Sequence, residues 1–234
     1  MLTDDLLELQ RLDTTTDQLG HRRRELPERA AATEAAASRR ANRSRRAAIG
    51  VRDEELELAI GALERDGQAL VTQRTRLEAQ LKTVIAPREA EALMHEMATI
   101  AERRDALDDQ ELTFLDEQSE LAGEAARLDD ALPGLESAAS ATAAALAVAE
   151  ATIDAELADI ATSRAAQAAA LDPSVLSRYE QLRSHLGGVA VAKLDGTRCS
   201  GCHIDLSRSD LDDVKRVPPG EYTDCPQCGR ILVP

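Results

Sequence analysis

Residues 56–87 read LELAIGALERDGQALVTQRTRLEAQLKTVIAP. Leu56, Leu63, Leu70, Leu77 and Val84 stand at every seventh position, and Ile60 and Leu81 fill the companion positions of the same face. A strict seven-residue repeat keeps a narrow apolar stripe turned toward a partner helix and under-winds the pair into a left-handed coiled coil. The stretch ends on Pro87, which disfavours helical geometry at Ala86 and has no backbone donor. Beyond it a second row begins, formed by Leu93, Ile100, Leu107, Phe114, Leu121, Leu128 and Leu135. Two strong rows on either side of a proline predict an antiparallel coiled-coil hairpin with its turn near residues 83–88.

Working outward, weaker rows flank the strong ones: Leu12, Leu19 and Leu26 before, and Leu146, Ile153 and Ile160 after. The hairpin then occupies residues 1–171, in two arms of about 80 residues or roughly 120 Å of helix each. Pro27 is expected to kink the first arm. The step from Leu135 to Leu146 departs from the heptad beside Pro133 and Gly134, so a kink or break is expected there as well. Residues 28–52 and 137–145 are alanine-rich and would face each other, burying little area and making this the least stable part of the helices.

Composition agrees with long helices. Ala 42, Leu 31, Glu 22 and Lys+Arg 28 make up about half of the 234 residues, and the aromatic residues are only Phe114, Tyr179 and Tyr222. A large globular core draws much of its buried area from aromatic side chains, which argues against an ordinary enzyme fold of this size. The formal net charge of −15 disfavours a protein whose main task is to coat nucleic acid or an anionic membrane. No apolar run approaches the roughly 18 residues of a membrane helix, and MLTDDLLELQ lacks the regions of a signal peptide. A cytoplasmic location is expected, where cysteine pairs more often bind metal than form disulfides.

Residues 21–52 run against this acidity, with ten Arg and three Glu, whereas residues 105–136 carry eleven acidic side chains and one Arg. The basic run could be a nucleic-acid footprint, but it holds no aromatic residue to stack on a base. In an antiparallel hairpin the two runs overlap, so charge pairing between the arms is the favoured explanation. A docking surface for an acidic protein or an RNA backbone is the alternative.

Alanine almost disappears after Leu171, and residues 172–234 form a second region. Asp172 and Pro173 make a helix start, and Gly187 and Gly188 its end. Val189 to Leu194 is strand-like. All four cysteines then fall in two pairs, Cys199-Ser-Gly-Cys202 and Cys225-Pro-Gln-Cys228. Two intervening residues let both sulfurs of a pair turn onto one ion, with Gly201 and Gly229 relieving the backbone. Two such turns supply four thiolates, the donor set of a closed structural site for one Zn2+ per chain. Iron in a tetrathiolate site is the chemical rival, and a thioredoxin-type pair a weaker one. His203, next to Cys202, is expected to be a surface or supporting residue because four thiolates already fill the shell. No nucleophile with its base, phosphate loop or open metal position is evident, so no catalytic residue is assigned.

The motifs GVAVAKLDGTRCSGCHIDLS and DCPQCGRILV, with REAEALMHEMATI after the turn and SRYEQLR before the ribbon, resemble a bacterial family of C4-type zinc-ribbon proteins. In that family a long N-terminal coiled-coil hairpin precedes the ribbon. One departure is Ala90, where the family often carries an aromatic residue. The resemblance implies a mainly α protein with a small C-terminal β zinc ribbon, zinc-binding and non-enzymatic. It also implies loose association with nucleic-acid binding, flagellar gene expression or secretion. The function expected is that of an interaction or adaptor protein presenting the ribbon to a protein partner. A nucleic-acid binder using the ribbon and the Arg-rich arm is the alternative, and self-association through the coiled coil a further one.

Overall fold

The computed structural model describes residues 2–218 and 220–233. The helices are α1 (Leu2–Arg24), α2 (Pro27–Leu81), α3 (Pro87–Ala169) and α4 (Pro173–His185). After them come β1 (Val191–Asp195), β2 (Arg198–Cys199), α5 (Arg208–Lys215), β3 (Thr223–Asp224) and β4 (Ile231–Val233). The chain packs as two compact units, one of Met1–Ala31 with Ala143–Pro234 and the other of Ala32–Thr142.

In the second unit α2 and α3 run antiparallel. Gln73 donates to Glu96 at 3.2 Å, Gln118 to Asp53 at 3.0 Å, and Arg52 and Arg45 pair with Glu117 and Glu124. The residue numbers of each pair add to about 170, as pairing about the turn between Leu81 and Pro87 requires. That turn closes where expected: the Thr83 and Val84 amides donate to the Gln80 carbonyl, and the Ala86 carbonyl accepts from Glu89 and Ala90 at the start of α3. Ile49, Leu56, Ile60, Leu77 and Ile100 are buried in the seam, while most other members of the two rows are half-buried. A two-helix seam has solvent on both flanks, so partial burial is its natural result. Asn42 is buried among them and donates to the Leu128 carbonyl at 3.1 Å. A polar residue in such a seam penalises slipped registers, because only the native one satisfies it.

Two expectations about proline need correction. Pro27 does not kink a continuous arm: α1 ends at Arg24 and Pro27 opens α2, where its missing donor is one the helix would leave unpaired in any case. Pro133 does not break the return helix, which is helical throughout Pro87–Ala169. Proline removes one backbone bond, to the carbonyl four residues back. The ion pairs of Asp129 with Arg46 and of Glu136 with Arg43 hold α3 against α2 on either side of it. A third expectation also changes, since α3 contains an 18-residue stretch that by length and composition alone could cross a membrane. Alanine makes this stretch apolar without supplying bulk.

The first unit builds its core from both ends of the chain. Leu6 and Leu9 of α1 are fully buried against Leu171, Tyr179 of α4, Ala190, Val191, Ile231 and Val233. Leu19 and Leu26 meet Ile153 with Leu146 and Ile160, joining the weaker rows read from the sequence. Below Tyr179 lies a buried carboxylate: Asp13 accepts from the Tyr179 hydroxyl at 2.7 Å and from Nε of Arg164 at 2.6 Å. Nε of Arg183 is 3.5 Å from the same carboxylate, and Arg164 and Arg183 also engage Glu180 and Asp17. Burial and the bond to Asp13 push the Tyr179 hydroxyl well above its ordinary pKa, so it remains a donor. The small sheet has the order β2-β1-β4-β3, with β1 antiparallel to β2 and parallel to β4, and β3 antiparallel to β4.

Candidate metal centre

Each cysteine pair sits where a strand gives way to a tight turn. Cys199 closes β2 and Cys225 follows β3, while Cys202 and Cys228 lie beyond the turns that these strands enter. The two turns repeat one backbone pattern. The His203 amide donates to the Cys199 carbonyl at 2.8 Å, and the Gly229 amide to the Cys225 carbonyl at 2.8 Å. Both donors stand in the left-handed region, His203 at φ 59° and Gly229 at φ 71°. His203 is therefore the counterpart of Gly229, and it lies outside the cluster that could share an ion. Gly201 does not share that geometry. A methyl group there would lie 2.6 Å from Cδ of Arg230 and 3.0 Å from Cβ of Ala192, so its need is for space.

The fold brings all four predicted cysteines together, with their sulfurs within 4.8 Å of one another and the Cys202 and Cys225 sulfurs 4.0 Å apart. Four Zn–S bonds of about 2.3 Å in a tetrahedron place sulfurs about 3.8 Å apart, so the donor set fits with little contraction. Cys199 and Cys225 are buried, and the Gly201 amide points to the Cys199 sulfur at 3.4 Å. Burial pushes the Cys225 thiol up to about 12 and raises that of Cys202 as well. Burial acts the same way on Cys228, but the backbone amide and guanidinium of Arg230, with the neighbouring thiols, outweigh it and bring it to about 7. Bound zinc supplies the charge that keeps four adjacent sulfurs deprotonated, so affinity should weaken as pH falls.

Residues 9–187 match the CT398-like coiled coil hairpin domain, and residues 198–232 match the C4-type zinc ribbon domain. The chain belongs to this family of hairpin zinc-ribbon proteins. An uncharacterized protein of Mycobacterium tuberculosis is 31% identical over 230 residues, spanning 97% of this chain and 93% of its own. CT398 from Chlamydia trachomatis shares the fold with a TM-score of 0.85 at 24% identity, over 99% of this chain and 96% of that one. A Mycobacterium smegmatis protein does so with a TM-score of 0.78 at 24% identity, over 99% and 97%. The ribbon match and the clustered cysteines together make the cofactor of this family member one structural Zn2+ rather than iron.

The reading of His203 yields a direct prediction. A side chain in the left-handed region costs roughly 1 kcal/mol, partly offset by the greater chain entropy of an unfolded glycine. His203→Gly should therefore bind zinc within about threefold of the parent and melt at the same temperature or slightly above. Gly229→Val, placing a β-branched residue at φ 71°, should lower both markedly. Chelator competition and thermal melts read the pair. A large loss of zinc from His203→Gly would make the imidazole a participant after all.

Proposed function

We propose that this chain is a non-enzymatic adaptor whose hairpin and zinc ribbon present surfaces to a protein partner, in line with a role in transcription- or secretion-related regulation. In this reading Cys199, Cys202, Cys225 and Cys228 hold the zinc, which replaces a hydrophobic core in the ribbon and leaves its faces free to bind.

The observation that carries the reading is the fate of the Arg-rich run. Arg43, Arg45, Arg46 and Arg52 pair with Glu136, Glu124, Asp129 and Glu117 in one unit, and Arg23 and Arg29 pair with Asp154 and Glu150 in the other. These pairs are exposed and stabilise little singly. Their effect on function is larger, because a guanidinium already held by a carboxylate is a poor phosphate ligand. Exposed apolar side chains supply contact surface of another kind: Ile85 at the hairpin turn is 96% exposed and Leu58 76%. A second reading, nucleic-acid binding, is favoured by Arg39 and Arg40, for which no ion pair is formed among the described residues.

A pull-down of the full chain from native lysate, with and without nuclease, separates the two. The adaptor reading predicts partners that survive nuclease and weak binding of generic RNA at physiological salt. Tight RNA binding that falls steeply with salt, and is lost in Arg39→Glu/Arg40→Glu with melting unchanged, would replace it by the second reading.

A further inference from the structure

We infer that Arg230 is a positioning residue through which the metal site and helix α1 are coupled, so that α1 docks on the ribbon only when the cysteine turns are formed. The inference rests on the cysteine cluster as the zinc site. Arg230 belongs to the second turn by its backbone, since its carbonyl accepts from the Cys225 amide at 2.8 Å. Its side chain leaves that turn and crosses Gly201 of the first turn, closely enough that no methyl group would fit between. The guanidinium then ends on two carbonyls at the exit of α4, with Nε on Val189 at 2.8 Å and Nη2 on Leu186 at 2.9 Å. One residue thus joins both cysteine turns, one by its backbone and the other by its side chain, to the segment that leads into β1.

That same segment is gripped from its other side by Gln10 of α1. Gln10 Nε2 donates to the Gly188 carbonyl at 2.9 Å, and its Oε1 accepts from the amides of Ala190 and Val191 at 2.7 and 3.2 Å. Gln10 is 7% exposed and Ala190 fully buried, so water cannot easily replace these partners. Gly187 and Gly188, both at positive φ, lie between the Leu186 and Val189 carbonyls that Arg230 holds, and make the segment pliable unless it is held. Cys225, Arg230, residues 186–191 and Gln10 therefore form a continuous line of hydrogen-bonded groups. Opening the second turn removes the anchor of Arg230 and frees the segment. Gln10 loses its partners, and α1 can lift from the core that its Leu6 and Leu9 complete.

Linkage makes the proposal sharp. If zinc favours the docking of α1, then docking of α1 must favour zinc by the same factor, although Gln10 is not a metal ligand. Gln10→Leu keeps the bulk of the side chain and removes its bonds to the segment. It should weaken zinc binding by about tenfold, the equivalent of one or two net hydrogen bonds. Arg230→Ala should weaken it by about 10- to 100-fold, as loss of a group supporting a ligand does. Arg230→Lys should recover little of this, because one ammonium lacks the planar fork that spans two carbonyls.

The experiment uses the full chain. Zinc affinity is measured by competition with a chromophoric chelator, helicity by circular dichroism, and amide exchange with and without EDTA. The expected result is one zinc per chain at saturation in parent and variants, the affinity losses above, and faster exchange on zinc removal at Ala190, Val191 and along α1. Exchange in residues 42–128 should not change. Zinc affinity of Gln10→Leu within about twofold of the parent, or α1 exchange indifferent to EDTA, would overturn the coupling while leaving the zinc site in place. Absence of zinc from the parent protein would overturn the metal site itself and the coupling with it.

Discussion

Cys225→Ser should remove the bound zinc and abolish the native fold of the ribbon, residues 191–233, while α2 and α3 remain helical. The apolar cluster around the cysteines is small, comprising Ala192, Leu206, Leu211, Val214 and Leu232, and cannot order the loops between them alone. Structural zinc in small domains contributes on the order of 10 kcal/mol of apparent folding free energy. Cys225 is 1% exposed, so the serine would also leave a hydroxyl in an apolar cluster without the ion that justified a polar atom there. The far-ultraviolet signal should fall only modestly, because α2 and α3 dominate it, whereas amide protection in β1 and β4 should vanish. Persistent protection of the Ile231 and Leu232 amides in the variant would show that the ribbon folds without its metal.

Asp13→Ala should destabilise the unit that carries the ribbon by about 3 kcal/mol, an effect larger than that of any exposed ion pair on the hairpin. Deleting the carboxylate strands the Tyr179 hydroxyl, which is fully buried, and removes the charge that Arg164 and Arg183 approach. Both guanidinium side chains keep about a quarter of their surface in water and keep a second acidic partner, which places the effect at the lower end of the range for broken buried pairs. Asp13→Asn, which can still accept from Tyr179, should lie between the parent and the alanine variant. Urea unfolding followed at Tyr179 measures all three. An alanine variant within about half a kcal/mol of the parent would mean that the buried network is dispensable.

Where the sequence speaks through an unbroken repeat or a fixed spacing of cysteines, the structure follows it, whereas the departure from the repeat beside Pro133 does not interrupt α3. The heptad rows, the turn before Pro87, the Asp172 cap and the four cysteines each depend on local rules, and each could be read from neighbouring residues. What escaped depends on residues far apart in sequence. Gln10 and Asp13 look like ordinary polar positions of an amphipathic helix, and only contact with residues some 150 to 180 positions away shows Asp13 as the acceptor of Arg164 and Tyr179 and Gln10 as the acceptor of the Ala190 and Val191 amides. The bonds of Arg230 to the Leu186 and Val189 carbonyls, some 40 positions away, are likewise not legible from neighbouring residues. Helix α5 follows local rules as well, although no helix is assigned there from the sequence: Ser207 accepts from the Asp210 amide at 3.2 Å, and Leu211 and Val214 are buried three residues apart, a short capped amphipathic pattern. His203 illustrates a different limit, since a histidine beside a cysteine suggests chemistry while its backbone holds the place that glycine takes in the other turn.

The most direct test of the account is the metal content of the full chain purified without added metal, determined by native mass spectrometry together with elemental analysis. One zinc per chain, lost in Cys225→Ser and lost again when the four thiols are alkylated under a chelator, is the predicted result. Metal-free protein with protected ribbon amides, iron in place of zinc, or zinc that survives alkylation of Cys199, Cys202, Cys225 and Cys228 would contradict it.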